Sequence, residues 1–138
     1  MKGINNLKYL KYFLWIVAIH SLAVGAGLIV MPVFMMEYLG FGICPERFFR
    51  AQGGVFHIAM AVGYAMAAYN PERFRGLVIL SIIVKFIATI FLLTYFVFVS
   101  SIILILLSMV SDFFMGIIVL YLYRKSETDR ERRQYGRT

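Results

Sequence analysis

Four ionisable side chains, His20, His57, Lys85 and Asp112, each stand inside a long, otherwise apolar stretch. The sharpest case is SIIVKFIATIF, residues 81–91, where Lys85 is the only charge. An ammonium in hydrocarbon costs about 2.5–3.5 kcal/mol on insertion scales. Either Lys85 leaves the hydrocarbon or a partner offsets that cost. Lysine and aspartate can pair or relay protons, imidazole can donate or accept near neutral pH, and Tyr64 adds a hydroxyl. Three chemistries follow from these types: recognition of a small polar head group, haem ligation through two histidines, and proton transfer.

The elements that must position them are transmembrane helices. The chain has 138 residues, 62% of them hydrophobic, well above the roughly 45–50% usual in soluble domains. Only 15% are charged, and those gather at the N-terminus, in two short connections and in a C-terminal tail. Four apolar stretches are long enough to cross a hydrocarbon layer of about 30 Å. They cover residues 12–31, 45–69, 71–97 and 102–123, and a basic tail of 124–138 follows. Without water to satisfy the backbone, each must be helical. Lys2, Lys8 and Lys11 could begin a signal peptide, but the run Phe13–Met31 is too long and lacks an A-x-A site, so it reads as a retained span.

"CPERFFR" and "NPERFR" each place Pro and Glu at a helix start, with Asn70 as an N-cap. Lys and Arg number eleven near one set of span ends and two, Arg47 and Arg50, near the other. This bias places both termini in the cytoplasm and argues against a dual-topology exporter. The tail shows no apolar period and reads as frayed or disordered. The segment 32–44 reads as an external surface element that Gly40 and Gly42 keep from forming one long helix.

A net charge of +7 does not indicate nucleic acid, because the excess adjoins the spans, where anionic headgroups act on it. One cysteine, Cys44, excludes an intrachain disulfide, and no cysteine-rich metal site or nucleophile motif is present.

At a rise of 1.5 Å per residue, His20, Lys85, His57 and Asp112 lie roughly 12–18 Å from the cytoplasmic ends of their spans. One bundle interior would therefore hold all four, with Lys85 and Asp112 paired and a histidine in the same network. Lys85 is too deep to snorkel, whereas Arg50, near the external end, can reach the headgroups. Arg50, His57 and Tyr64 share one face of the second span; Ser81, Lys85 and Thr89 share one on the third; Ser108, Asp112 and Gly116 share one on the fourth. Ala59, Gly63 and Ala67 have the spacing of a close helix contact. A structural ion pair that holds the bundle together explains Lys85 and Asp112 equally well. Haem between His20 and His57 is disfavoured, since side chains on antiparallel helices lean apart. No cofactor is expected.

The stretch FFRAQGGVFHIAMAVGYAMAAYNPERFRGLVILSIIVKFIATIF is similar to small bacterial four-helix membrane proteins of the DoxX-like type. The likeness rests on Arg50-x-x-Gly53, Gly63-Tyr64, the Asn-Pro turn and Lys85. It implies an inner-membrane bundle that sometimes serves as a membrane subunit beside an oxidoreductase. ERFFRAQGG also resembles the second-helix start of the MAPEG family, trimeric glutathione-using membrane enzymes, through Glu46, Arg47, Arg50, Ala51 and Gln52. Gly54 stands where that pattern has asparagine.

The expectation is an all-α integral membrane four-helix bundle of the bacterial inner membrane with both termini cytoplasmic. Its polar site would comprise His20, Arg50, His57, Tyr64, Lys85 and Asp112 and would bind a small lipid-like or quinone-like molecule. Its partners would be the bilayer, such a molecule, and either a second copy or a membrane subunit, with no nucleic acid. Nothing in the residues names a reaction. A MAPEG-like enzyme and a proton-coupled small transporter are the alternatives.

Overall fold

The structure, a computed structural model, describes residues 2–42 and 46–135, with side chains over 6–42 and 46–134. Cys44, Pro45 and Arg137 lie outside the described residues. The described chain is helical, with no strand. It forms α1 (Lys2–Val30), α2 (Val33–Tyr38), α3 (Phe48–Tyr69), α4 (Arg75–Phe98) and α5 (Ile103–Tyr135).

Among the described residues, three helical stretches are long and apolar enough to cross a membrane: Asn6–Val30, Arg75–Phe98 and Ile103–Gln134. The 22-residue α3 has comparable length, but Arg50, Gln52, His57 and its glycines dilute its apolar character. Large apolar side chains such as Ile19, Phe56, Ile87 and Phe114 point outward from all four long helices.

Inward positions recur at three- and four-residue steps. On α1 they include Leu10, Leu14, Val17 and Ser21; on α5, Ile105, Asp112, Val119 and Ser126 fall seven apart; on α3, Gly54, Ala61 and Ala68 do the same. That period is the seam of a supercoiled bundle. The four long helices form a ring in which α1 packs against α3 and α5, and α4 packs against α5 and α3. The α1–α3 interface is the most extensive and the α3–α4 interface the least.

The order up-down-up-down brings the first and last turns together. Asn6 Nδ2 donates to Asp129 Oδ2 at 2.6 Å, and Arg75 pairs with Glu127, so α1, α4 and α5 meet at one end. The apolar core, built on Leu10, Leu14, Val17, Ala67, Val78 and Val119, fills the half of the bundle nearest this end.

Two tight contacts set helix positions. A Cβ on Gly25 would lie 2.7 Å from the Gly54 carbonyl oxygen, and one on Gly54 would lie 2.7 Å from the Gly25 carbonyl oxygen. Only glycine on both helices allows backbones this close. At the far end α2 closes in a Schellman motif: Phe41 N donates to Met36 O, Gly40 N donates to Glu37 O, and Gly40 has φ +93°. This matches the expectation that glycine would interrupt helix in this segment.

Several boundaries differ from the sequence reading. Pro71 does not open α4. Residues 71–74 form a turn in which Asn70 Oδ1 accepts from Arg73 N at 3.1 Å and Asn70 O accepts from Phe74 N at 3.0 Å. Asn70 therefore caps the turn, and the helix starts at Arg75. α3 starts at Phe48, whose N–H donates to Glu46 Oε1 at 2.6 Å. The tail expected to fray is instead helical through Tyr135. Several of its charged side chains have side-chain partners: Glu127 with Arg75 and Arg130, and Asp129 with Asn6. Partners on other helices stabilise what local composition alone would leave unfolded.

Candidate functional site

Above the apolar core the interior turns polar. Lys85 on α4 is 4% exposed and Asp112 on α5 is 7% exposed. Lys85 Nζ donates to Asp112 Oδ1 at 2.5 Å, a short charge-assisted bond between adjacent helices. The backbone geometry that permits it comes from Gly116, one turn along α5. A Cβ there would sit 3.3 Å from Lys85 Cβ and 3.6 Å from the Phe86 ring, so a larger residue would push α4 away.

The third side of the ammonium is aromatic. Lys85 Nζ lies 5.8 Å from the centroid of the Tyr64 ring, and Tyr64 is 2% exposed. A cation at that distance is attracted by the ring quadrupole. Lys85 thus bridges three helices: its stem on α4, its bond to α5, its charge against α3.

The histidines enter differently from the network expected. Ser21 Oγ on α1 donates to the His57 carbonyl at 3.0 Å and lies 3.4 Å from His57 Nδ1. Its single proton is used on the carbonyl, so toward the ring the hydroxyl can only accept, which selects the Nδ1–H tautomer. His57 is therefore tied to α1 and has no direct bond to the Lys85–Asp112 pair. His20 is half-buried, and its Nδ1 is buried without a hydrogen-bond partner. Both imidazoles lie within Coulombic range of Lys85 and Asp112. The shared-network expectation is corrected to a shared electrostatic neighbourhood.

Arg50 sits in the first turn of α3, seven residues and about 10 Å of helix rise from His57, half-exposed and apart from the cluster. Ser81 and Thr89 are buried on the Lys85 face, but their hydroxyls donate to the carbonyls of Leu77 and Lys85 on their own helix, at 2.7 and 2.8 Å. They fill space and do not point polar atoms at the pair. Ala59–Gly63–Ala67 is not the close helix contact expected: Ala59 is exposed, and a Cβ on Gly63 would meet nothing within 4 Å. The close contact belongs to Gly25 and Gly54. Ser21 is the site residue that sequence reasoning missed; its signal was its place beside His20 as the next polar residue of the span.

The arrangement offers a fixed cation, a fixed anion, a phenol ring and one imidazole nitrogen with spare hydrogen-bonding capacity. Among the described residues, no three His, Cys, Asp or Glu side chains gather to hold a metal ion. No family model, curated protein or solved structure matches this chain.

Proposed function

We propose that this chain is a four-span protein of the bacterial inner membrane, with both termini in the cytoplasm, whose interior polar layer binds a small apolar molecule through a polar head. The topology reading is supported by the Lys and Arg bias and by the ring packing, in which α3 is held between α1 and α4 despite its lower hydropathy. Leaving α3 outside the bilayer would pull its Gly54 away from Gly25 on an apolar helix.

One observation carries the functional reading: a desolvated Lys85–Asp112 pair lies in the same neighbourhood as a buried, unpartnered His20 nitrogen. A buried ion pair alone is satisfied by a structural role. An unsatisfied buried polar atom costs about 1–3 kcal/mol, which a bound hydrogen-bonding group would recover. A carbonyl, phenol or quinone head suits such a site, since it can accept from the ammonium and engage the imidazole.

Native mass spectrometry of the protein, extracted in gentle detergent, tests this. The wild type should carry a reproducible small-molecule mass. The double variant Lys85→Met/Asp112→Leu should keep its fold and lose that mass. A wild type that emerges bare, or a double variant that retains the same mass, contradicts the proposal.

A further inference from the structure

The four long helices form two locked pairs. Gly25 against Gly54 and Ser21 on His57 hold α1 to α3. The Lys85–Asp112 bond and Gly116 against Lys85 and Phe86 hold α4 to α5. Contacts that join one pair to the other include Asn6 with Asp129 and Tyr64 with Lys85. The first lies at the bundle end with the apolar core, the second in the polar layer itself.

Inward positions on either side of the polar layer can be compared at matched register, since residues one heptad apart share a bundle-facing side. Toward the end where Asn6 meets Asp129, Leu14, Val78 and Val119 lie one heptad from Ser21, Lys85 and Asp112, and Ala67 and Ala68 are one turn from Tyr64. Each of these five is at most 1% exposed. Toward the far end, Leu28, His57 and Leu92 hold the matched places on α1, α3 and α4, and all three are only half-buried. On α5, Ile105 is buried, but Ser108, one turn from Asp112, is half-buried. These positions continue the faces that bury Ser21, Tyr64, Lys85 and Asp112, so their exposure is toward the space between the pairs. Arg50, one heptad beyond His57 on the Tyr64 face, is half-buried at the rim. Among the described residues α2 packs on none of the long helices, so it does not cap this end.

From this asymmetry we infer that the polar layer is closed toward the cytoplasm and opens to the external water through a vestibule between the α1–α3 and α4–α5 pairs. The inference rests on the topology and binding-site readings above and adds the side from which the ligand comes. Its molecule arrives from the external compartment, passes Arg50 at the rim, and meets Ser108 and His57 before Lys85 and Asp112. The apolar core, with the Asn6–Asp129 contact behind it, blocks the other direction.

Cysteine accessibility tests the vestibule without knowledge of the ligand. The full chain carries Cys44→Ser, so that each introduced cysteine stands alone. A small, charged, membrane-impermeant methanethiosulfonate is the probe, because it reacts with thiolate, which forms in water. In nanodiscs, where both faces are open to the reagent, Ser108→Cys is compared with Ser81→Cys, one turn from Asp112 and Lys85 on opposite sides of the layer. Leu28→Cys and Leu14→Cys repeat the comparison on α1, so a fold lost in one variant does not decide the result. A buried thiol reacts only when packing opens, so Ser81→Cys and Leu14→Cys should label at least about tenfold more slowly than their counterparts. Ile87→Cys, on the outward face of α4, should stay unlabelled and shows that exposure to lipid does not suffice. On intact spheroplasts the same reagent should reach Ser108→Cys. Equal labelling within both comparisons, no labelling of Ser108→Cys and Leu28→Cys, or labelling of Ser108→Cys in inverted vesicles but not in spheroplasts each overturns the inference. A bound mass in the native spectrum beside equal labelling would refute the vestibule alone. A bare wild type beside the expected labelling would refute the ligand alone.

Discussion

Removing one member of the Lys85–Asp112 pair should be far more damaging than removing both. At 2.5 Å and an effective dielectric of about 20, the attraction is about 6–7 kcal/mol, most of it set against the cost of desolvating two charges. With Asp112→Asn the ammonium keeps its buried place without a counter-ion. Its exposure of 4% leaves little water to replace the carboxylate. The expected loss is about 3–5 kcal/mol, the usual penalty for breaking a buried pair. Lys85→Met should cost less than that upper figure, because a lone carboxyl can take up a proton and stay buried neutral. Lys85→Met/Asp112→Leu removes both charges at similar volume and should fall within about 1–2 kcal/mol of the wild type. Equilibrium unfolding of all four proteins in bicelles, read by steric trapping, gives the cycle directly. If the double variant loses the sum of the two single losses, the side chains do not act as a pair and the reasoning fails. Single variants within about 0.5 kcal/mol of wild type, the usual range for surface substitutions, would refute it equally.

Four further outcomes follow. Gly54→Ala should destabilise by about 1–3 kcal/mol in the same assay, since its new methyl group meets the Gly25 carbonyl and Ile29, whereas Gly27→Ala should be neutral or mildly stabilising. Gly40→Ala should cost about 1 kcal/mol through its left-handed backbone alone, seen as a lower thermal midpoint in detergent. His20→Leu removes a buried unpartnered nitrogen, so the fold should hold or gain stability while the small-molecule mass in the native spectrum falls. Glu127→Gln should lower stability by no more than about 1 kcal/mol, and that loss should shrink at high salt, because its partners Arg75 and Arg130 are each 35% exposed.

The long helices and the depth of the polar groups were legible because both follow from one-dimensional quantities, apolar run length and rise per residue. Lys85 and Asp112 could be matched for that reason. Azimuth was not legible. Depth alone could not tell that Ser21 would take His57, or that Gly25 rather than Gly63 would sit on a facing backbone. Those facts depend on how two helices rotate about their axes, which a single sequence constrains only through its apolar face. The α5 extension failed for a different reason. Residues 124–135 look unfoldable one at a time, but Glu127 and Asp129 find partners on α4 and α1, far away in sequence. Pro and Glu suit a first helical turn and the turn seen at 70–74 equally; Asn70, by capping Arg73, decides for the turn.

A lipid-free meeting of ammonium and carboxylate underlies both the bundle's polar layer and its proposed binding site. Rotational-echo double-resonance NMR on bilayer samples, with 15N in the lysine side chain and 13C in the aspartate carboxyl, measures that meeting directly. A Lys85 Nζ to Asp112 Cγ separation of about 3–4 Å, absent in Asp112→Asn, is the predicted result for a charge-assisted bond of this kind. Full-length protein in lipid with no dipolar dephasing between those two nuclei would contradict it.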